Sequence, residues 1–166
     1  MATREYSALN ALVQRIAATR PGAWFLSRTL HHLDRFVLSL TAGRSTLTGI
    51  LAGAPVVILT TVGARSGALR AHPLLCIRDR RHPEQFALIA TNWGQAHHPA
   101  WYYNLKANPV AICQLDGRSR AHIAREVFEH EYDRFWRIAV DTYAGFRRYK
   151  QRAGGRHIPI MVLEPL

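Results

Sequence analysis

The dipeptide Asp116-Gly117 stands between "VAICQL" and "RSRAHIAREV", two runs that alternate apolar and polar residues. A two-residue connection of this kind needs positive φ at both positions, which aspartate and glycine tolerate, and it folds the chain back on itself. The hairpin fixes antiparallel neighbours, and more strand-like runs flank it. "PVVILTTVG" begins at Pro55, "AHPLLCIRD" at Ala71 and "QFALIATN" at Gln85, while "IPIMVLEP" begins at Ile158. Between them helices are predicted only at residues 99–106 and 129–143. Strands that follow one another without regular βαβ alternation argue for an α+β fold built on a mostly antiparallel barrel, not a Rossmann sheet.

Two helices are predicted ahead of the strands, at residues 5–19 and 23–40, separated by Pro21-Gly22. In the second, Trp24, Leu30, Leu33, Val37 and Leu40 recur at helical spacing, with Arg28, His31 and Arg35 on other faces. Two readings stay open: a helix packed on the body of the domain, or a basic amphipathic helix lying on an anionic membrane. The chain divides accordingly into an N-terminal helical segment, residues 1–42, and a barrel domain, residues 43–166.

Lys and Arg together number 22 against 11 Asp and Glu, a formal charge of +11. Such a field draws a polyanion: nucleic acid, an anionic membrane, or a phosphorylated or carboxylated small molecule. No zinc-finger or RNA-recognition signature accompanies the charge, so nucleic acid is not an expected partner. The only cysteines, Cys76 and Cys113, both fall in predicted strands, which suits a reducing cytoplasm better than a disulfide framework. No signal peptide is apparent at the N-terminus. The apolar stretch at residues 49–64 contains Gly53 and Pro55 and falls short of the roughly 20 residues of a membrane span. A cytoplasmic protein is expected, with peripheral contact at the inner face of the plasma membrane as the variant reading.

"TTVGARSGALR", Thr60 to Arg70, leaves a strand into a turn bearing two glycines and two arginines. Glycine permits backbone in which N–H groups converge on an anion, and a guanidinium matches phosphate or carboxylate bidentately. The turn lacks the Lys-Ser/Thr of a Walker loop and the spacing of a nucleophile elbow. An ordinary polar hairpin turn is the competing reading. His72, His82, His97, His98, His122 and His130 show no familiar ligand spacing, so no metal site is expected. Tyr143, Phe146 and Tyr149, three residues apart, form either a core stripe or a pocket wall with phenols that offer a proton.

The ordered series T-T-x-G-x-R-S-G-x-x-R, N-x-G, P-x-W-Y-x-N-L and I-P-I resembles the deazaflavin-dependent nitroreductase family of actinobacteria, over residues 43–165. Members of that family reduce quinones and nitro compounds with coenzyme F-420. The resemblance implies a split β-barrel related to the FMN-binding barrels. It also implies that Arg65, Ser66, Gly67, Arg70, Trp101 and Asn104, with Lys106 as an addition, hold the phosphate and acidic tail of the coenzyme. Pro73 and the strand end Thr91, Asn92, Trp93 and Gly94 would border the deazaflavin ring, and Tyr143 and Tyr149 would be the catalytic proton donors. The chain departs from the family pattern at Ala64, where a basic residue is usual, and at Leu75 and Phe146, where tyrosines are common. The function implied is hydride transfer from reduced F-420 to a quinone, nitro compound or other electron-poor small-molecule acceptor. Two alternatives accompany it: the same chemistry with FMN, and a non-catalytic carrier of a fatty acid or coenzyme, toward which Leu75 and Phe146 would make the pocket greasier. Monomer and homodimer both remain open.

Overall fold

The computed structural model describes residues 55–166. The helices predicted at residues 5–19 and 23–40 and the boundary at 42/43 lie outside the described residues.

Among the described residues, seven strands form one sheet. They are β1 (Val56–Val62), β2 (Leu69–Leu75), β3 (Ile77–Asp79), β4 (His82–Ile89), β5 (Val110–Leu115), β6 (Arg118–Glu126) and β7 (Ile160–Pro165). Their spatial order is β2-β1-β5-β6-β7-β4-β3, and every neighbouring pair is antiparallel. Asp116 and Gly117 take φ of 52° and 78°, the left-handed pair that a two-residue hairpin needs, and Leu115 faces Arg118 across the turn. Three α-helices accompany the described sheet: α1 (Ala100–Ala107), α2 (Glu129–Thr142) and α3 (Gly145–Arg152).

One strand expectation is corrected. "AHPLLCIRD" reads as one strand but is two, β2 and β3, and they occupy opposite edges of the sheet. Cys76 alone joins them, its N–H donating to the carbonyl of Pro55 at 2.8 Å. Alternation of apolar residues continues through the bend, so periodicity could not register it. In a flat sheet six inter-strand gaps would hold the edges about 29 Å apart, at ~4.8 Å per gap, whereas one linking residue spans only a few ångströms. The sheet must therefore curl until its edges meet. Pro73 is tolerated within β2 because that strand is an edge.

The curl creates two apolar compartments. Val57, Leu59, Cys76, Phe86, Leu88, Cys113, Met161 and Leu163 fill the barrel interior, and α1 closes one end with Trp101 and Leu105. On the outer side, α2 and α3 cover β3, β4 and β7, burying Ile77, Ala87, Ile89, Phe135, Ala139, Ile160 and Val162. β4 and β7 thus face apolar matter on both sides, which is why "FALIA" and "IMVL" read as unbroken apolar runs. Phe135 is wholly buried in the outer compartment, a position where truncation to alanine costs about 3–5 kcal/mol. β7 is the last strand in the chain, yet it sits between β6 and β4 and joins the two parts of the sheet.

Candidate functional site

The turn between β1 and β2 is closed by two backbone hydrogen bonds, Gly63 N–H to the Ala68 carbonyl and Gly67 N–H to the Gly63 carbonyl, both 2.8 Å. Gly67 lies at φ 66°, and a Cβ at Gly63 would sit 2.6 Å from Ser66 Oγ, so both glycines answer to the turn's geometry. Ser66 Oγ accepts from the Ala68 N–H at 3.3 Å. Arg65 and Arg70 are exposed, and neither forms an ion pair among the described residues. Two guanidinium groups without counterions on a glycine turn are a donor set suited to phosphate and carboxylate.

Asn104 ties this turn to α1. Its Oδ1 accepts from the Ala64 N–H at 3.0 Å and its Nδ2 donates to Thr61 Oγ1 at 3.0 Å. Asn104 and Thr61 are 7% and 1% exposed, so the amide is engaged in holding the turn. Trp101 is likewise in the barrel core at 5% exposure. Lys106 Nζ pairs with Glu126 Oε2 at 3.0 Å, and Tyr102 donates its hydroxyl to the same oxygen at 3.1 Å. Burial first, and then Glu126, push the Tyr102 phenol up to about 12. Pro73 is half-buried in β2, opposite Ile58.

β4 ends in an unusual turn. Asn92, Trp93 and Gly94 have φ of 47°, 58° and 79°, three left-handed residues in succession. For L-residues this conformation costs roughly 1–2 kcal/mol each, so the surroundings must impose it. A Cβ at Gly94 would lie 2.8 Å from Arg152 Cβ and 2.9 Å from the Tyr149 carbonyl, which presses the turn against α3. The Trp93 ring meets the Tyr149 ring edge to face at 5.8 Å. The carbonyls around the turn converge on Arg156. Its guanidinium donates to the carbonyls of Thr91 (2.8 Å), Gln95 (3.0 Å), His157 (3.2 Å) and Ala90 (3.4 Å), and it touches His98 Nδ1 at 2.6 Å. Burial, then the Arg156 charge, hold His98 below the ordinary histidine range. A neutral ring accepts at Nδ1 from the guanidinium and carries its proton on Nε2.

Tyr143 and Tyr149 are buried at 5% and 4% exposure, and their hydroxyls face each other at 3.1 Å. Phe146 packs edge-on against both rings. The stripe is not one helical face, since Tyr143 follows the end of α2 in extended backbone while Phe146 and Tyr149 belong to α3. Burial raises both phenols above the usual tyrosine range, so each keeps its proton at neutral pH.

The structure brings most of the predicted residues into two groups, one docked on α1 and one formed by the turn that precedes it in sequence. Arg65, Ser66, Gly67 and Arg70 are docked by Asn104 of α1, and Thr91 to Gly94 precede the same helix and rest on Tyr149. Arg156 and Glu126 escaped the sequence reading. Their only signal was position: Arg156 falls between the glycine pair Gly154-Gly155 and the final strand, and Glu126 ends β6.

A curled, wholly antiparallel sheet with two helices on one outer face and a third closing the barrel end is a split barrel, and it carries an arginine turn and a strand-end turn held by long-range contacts. The sequence profile of the F420H(2)-dependent quinone reductases matches residues 34–165, and the chain belongs to that family. A putative F420H(2)-dependent quinone reductase of Mycobacterium tuberculosis is 34% identical over 111 residues, covering 67% of this chain and 90% of the relative. A second F420H(2)-dependent quinone reductase of that organism is 31% identical over 112 residues, covering 66% of this chain and 72% of its own length. Among solved structures, an F420-H2 dependent reductase is 33% identical with a TM-score of 0.59, covering 66% of this chain and 94% of that one. Another, described as a domain-swapped dimer, is 30% identical with a TM-score of 0.62, over 87% of this chain and 99% of that one. The chain is thus an oxidoreductase of a family whose coenzyme is F-420.

Proposed function

We propose that this oxidoreductase carries hydride from reduced coenzyme F-420 to a quinone-like acceptor, with these two residue groups as its coenzyme site. One observation carries the assignment of residues: the uncompensated Arg65 and Arg70 are locked, through Asn104, to the helix that follows the left-handed turn. Arg65 and Arg70 would hold the phosphate and carboxylates of the tail, and Ser66 and Gly67 would let the backbone approach them. Pro73 and residues 91–94 would border the ring. Trp101 and Asn104 act by position, one as barrel core and the other as the link to the turn. Lys106 already faces Glu126, so it would add less to the tail site than the two arginines. When bound in reduced form, the deazaflavin supplies a hydride from carbon, which leaves orientation and electrostatics to the protein.

Charge that develops on the acceptor oxygen calls for a hydrogen-bond donor. Tyr143 and Tyr149 are the assigned donors: both phenols carry their proton at neutral pH, and burial makes each a weaker acid than a free tyrosine, so the role asked of them is hydrogen bonding more than full proton transfer. To act, one phenol exchanges its partner's hydroxyl for the acceptor oxygen. Tyr→Phe at either position is expected to lower turnover by about tenfold to a hundredfold with coenzyme affinity unchanged. Parent-like turnover in both single variants and the double variant would give protonation to water.

The test of the whole reading is titration of the purified protein with F-420 and, separately, FMN. It is followed by the absorbance of the reduced coenzyme with menadione present. Tight F-420 binding without turnover would favour a carrier, and FMN preferred over F-420 would replace the coenzyme. A nitro compound in place of menadione tests the second acceptor class. No helix among the described residues is long and apolar enough to cross a membrane. Peripheral contact through residues 23–40 is proposed because quinones are lipophilic, and flotation with anionic vesicles that fades as salt rises would support it. A homodimer is proposed on the precedent of the domain-swapped relative, and light scattering decides it.

A further inference from the structure

We infer that Arg156 is a positioning residue that holds the left-handed turn at residues 92–94 in the shape that receives the coenzyme ring. The inference rests on the reading above for the identity of the ligand, and on geometry for the clamp. Three consecutive positive φ values, two of them at Asn92 and Trp93, do not persist without an external restraint. Packing against α3 supplies one side of it through Gly94 and Trp93. Arg156 supplies the other, because its donors reach the carbonyls of Thr91 before the turn and Gln95 after it. One planar guanidinium thus brackets the turn, and the contact to His98 Nδ1 extends the bracket toward the start of α1. Gly154 and Gly155, at φ 60° and 86°, bend the chain between α3 and β7 so that Arg156 can enter from that side.

The chemistry explains why arginine and not lysine is required. Five donors fixed in a plane can serve several acceptors at once, whereas an ammonium offers three donors from a single point. Arg156 is half-buried and spans 61 to 66 positions in sequence to Gln95, Thr91 and Ala90. Its contacts go to the protein's own backbone and to His98, which separates it from Arg65 and Arg70. Those two face outward and would meet the coenzyme directly.

The experiment compares the parent protein with Arg156→Lys and Arg156→Gln. Amide hydrogen exchange of the coenzyme-free proteins is read together with F-420 affinity by fluorescence titration. Exchange at the amides of Gly94 and Gln95, which close the turn onto Thr91 and Asn92, should accelerate by about tenfold or more in both variants. Amides of β1 and β5 should keep parent rates. Affinity for F-420 should fall about tenfold in Arg156→Lys and at least as far in Arg156→Gln. Parent-like exchange at Gly94 and Gln95, or parent-like affinity in a folded variant, overturns the clamp. Acceleration spread evenly over β1, β5 and the turn also overturns it, since that marks general destabilisation. A parent protein that fails to bind F-420 overturns the functional reading instead, and the exchange comparison then decides the clamp alone.

Discussion

The β1–β2 turn and the turn after β4 solve opposite problems with the same left-handed conformation. The first uses it at a glycine in open space: no atom lies within 4 Å of a Cβ added at Gly67, and its arginines point to solvent. The second places Asn92 and Trp93 in that conformation and presses Gly94 against α3. One turn is cheap and leaves its charges free for an anion. The other is costly, and distant residues hold it in one shape. A flexible, charged tail needs attraction more than shape, while a planar ring needs a fixed surface. The contrast follows the two halves of the proposed ligand.

The largest effect should come from filling the tight turn. Gly94→Ala combines an unfavourable φ with contacts under 3 Å to the Tyr149 carbonyl and Arg152, and about 2–4 kcal/mol of stability should be lost. Gly67→Ala meets no neighbour and should cost only about 1–2 kcal/mol. Urea midpoints of the two variants measure the difference, and equal losses would erase the contrast between the turns.

Cutting the link between the open turn and α1 should come next. Asn104→Leu removes both hydrogen bonds and leaves the Ala64 N–H and the Thr61 hydroxyl to find other partners. A loss of about 1–3 kcal/mol is expected. F-420 affinity should fall along with stability, because Arg65 and Arg70 ride on that turn. Retained affinity would mean that the arginines work independently of α1.

Arg65→Ala and Arg70→Ala separate binding from folding. Each should weaken coenzyme affinity by roughly tenfold, as expected for loss of a charge-assisted contact. Stability should stay within about 0.5 kcal/mol, since both side chains are exposed and form no ion pair among the described residues. Unchanged affinity in both would take the tail site away from this turn.

The smallest effect is a pH dependence confined to the tight turn. His98 is held below its ordinary value by burial and by Arg156, with His157 and His97 acting in the same direction and Glu126 opposing them. The unfolded chain therefore takes up a proton first. The stabilisation is complete above about pH 6.5 and is lost as pH falls through the lowered folded value. The urea midpoint of the parent should decline more steeply between about pH 7.5 and pH 5.5 than that of His98→Gln, whose amide oxygen can still accept from Arg156. Parallel curves would show that the contact does not depend on a neutral ring.

Legibility in the sequence follows the same division. Asp116-Gly117 announces its hairpin because the turn's requirement is carried by two adjacent residues, and two of the three described α-helices, α1 and α2, fall within a residue of where the pattern puts them. The arginine turn was legible for the same reason, as was α1 from the run after Pro99. What stayed hidden depends on contacts across long separations. The bend at Cys76 is tied down by its N–H bond to the Pro55 carbonyl, 21 positions earlier, and α3 is a separate helix where the pattern shows a single stripe. Arg156 reads as one more cation in a basic chain until Thr91 and Gln95 are beside it. Asn104 was visible as a site residue, yet its work on Ala64 and Thr61 appears only in three dimensions.

The place of β7 has a kinetic consequence. Hairpins β1–β2, β3–β4 and β5–β6 each pair residues close in sequence and can form early. β4 and β6 share no edge until β7 enters between them, and its register with β4 joins Ile89 to Ile160. Until β7 pairs, the strands can form only two separate sheets, with the edges of β4 and β6 unpaired and open to wrong partners. Both edges are satisfied at once when β7 docks, so closure of the described barrel rests on its longest-range strand pairing and should come late in folding.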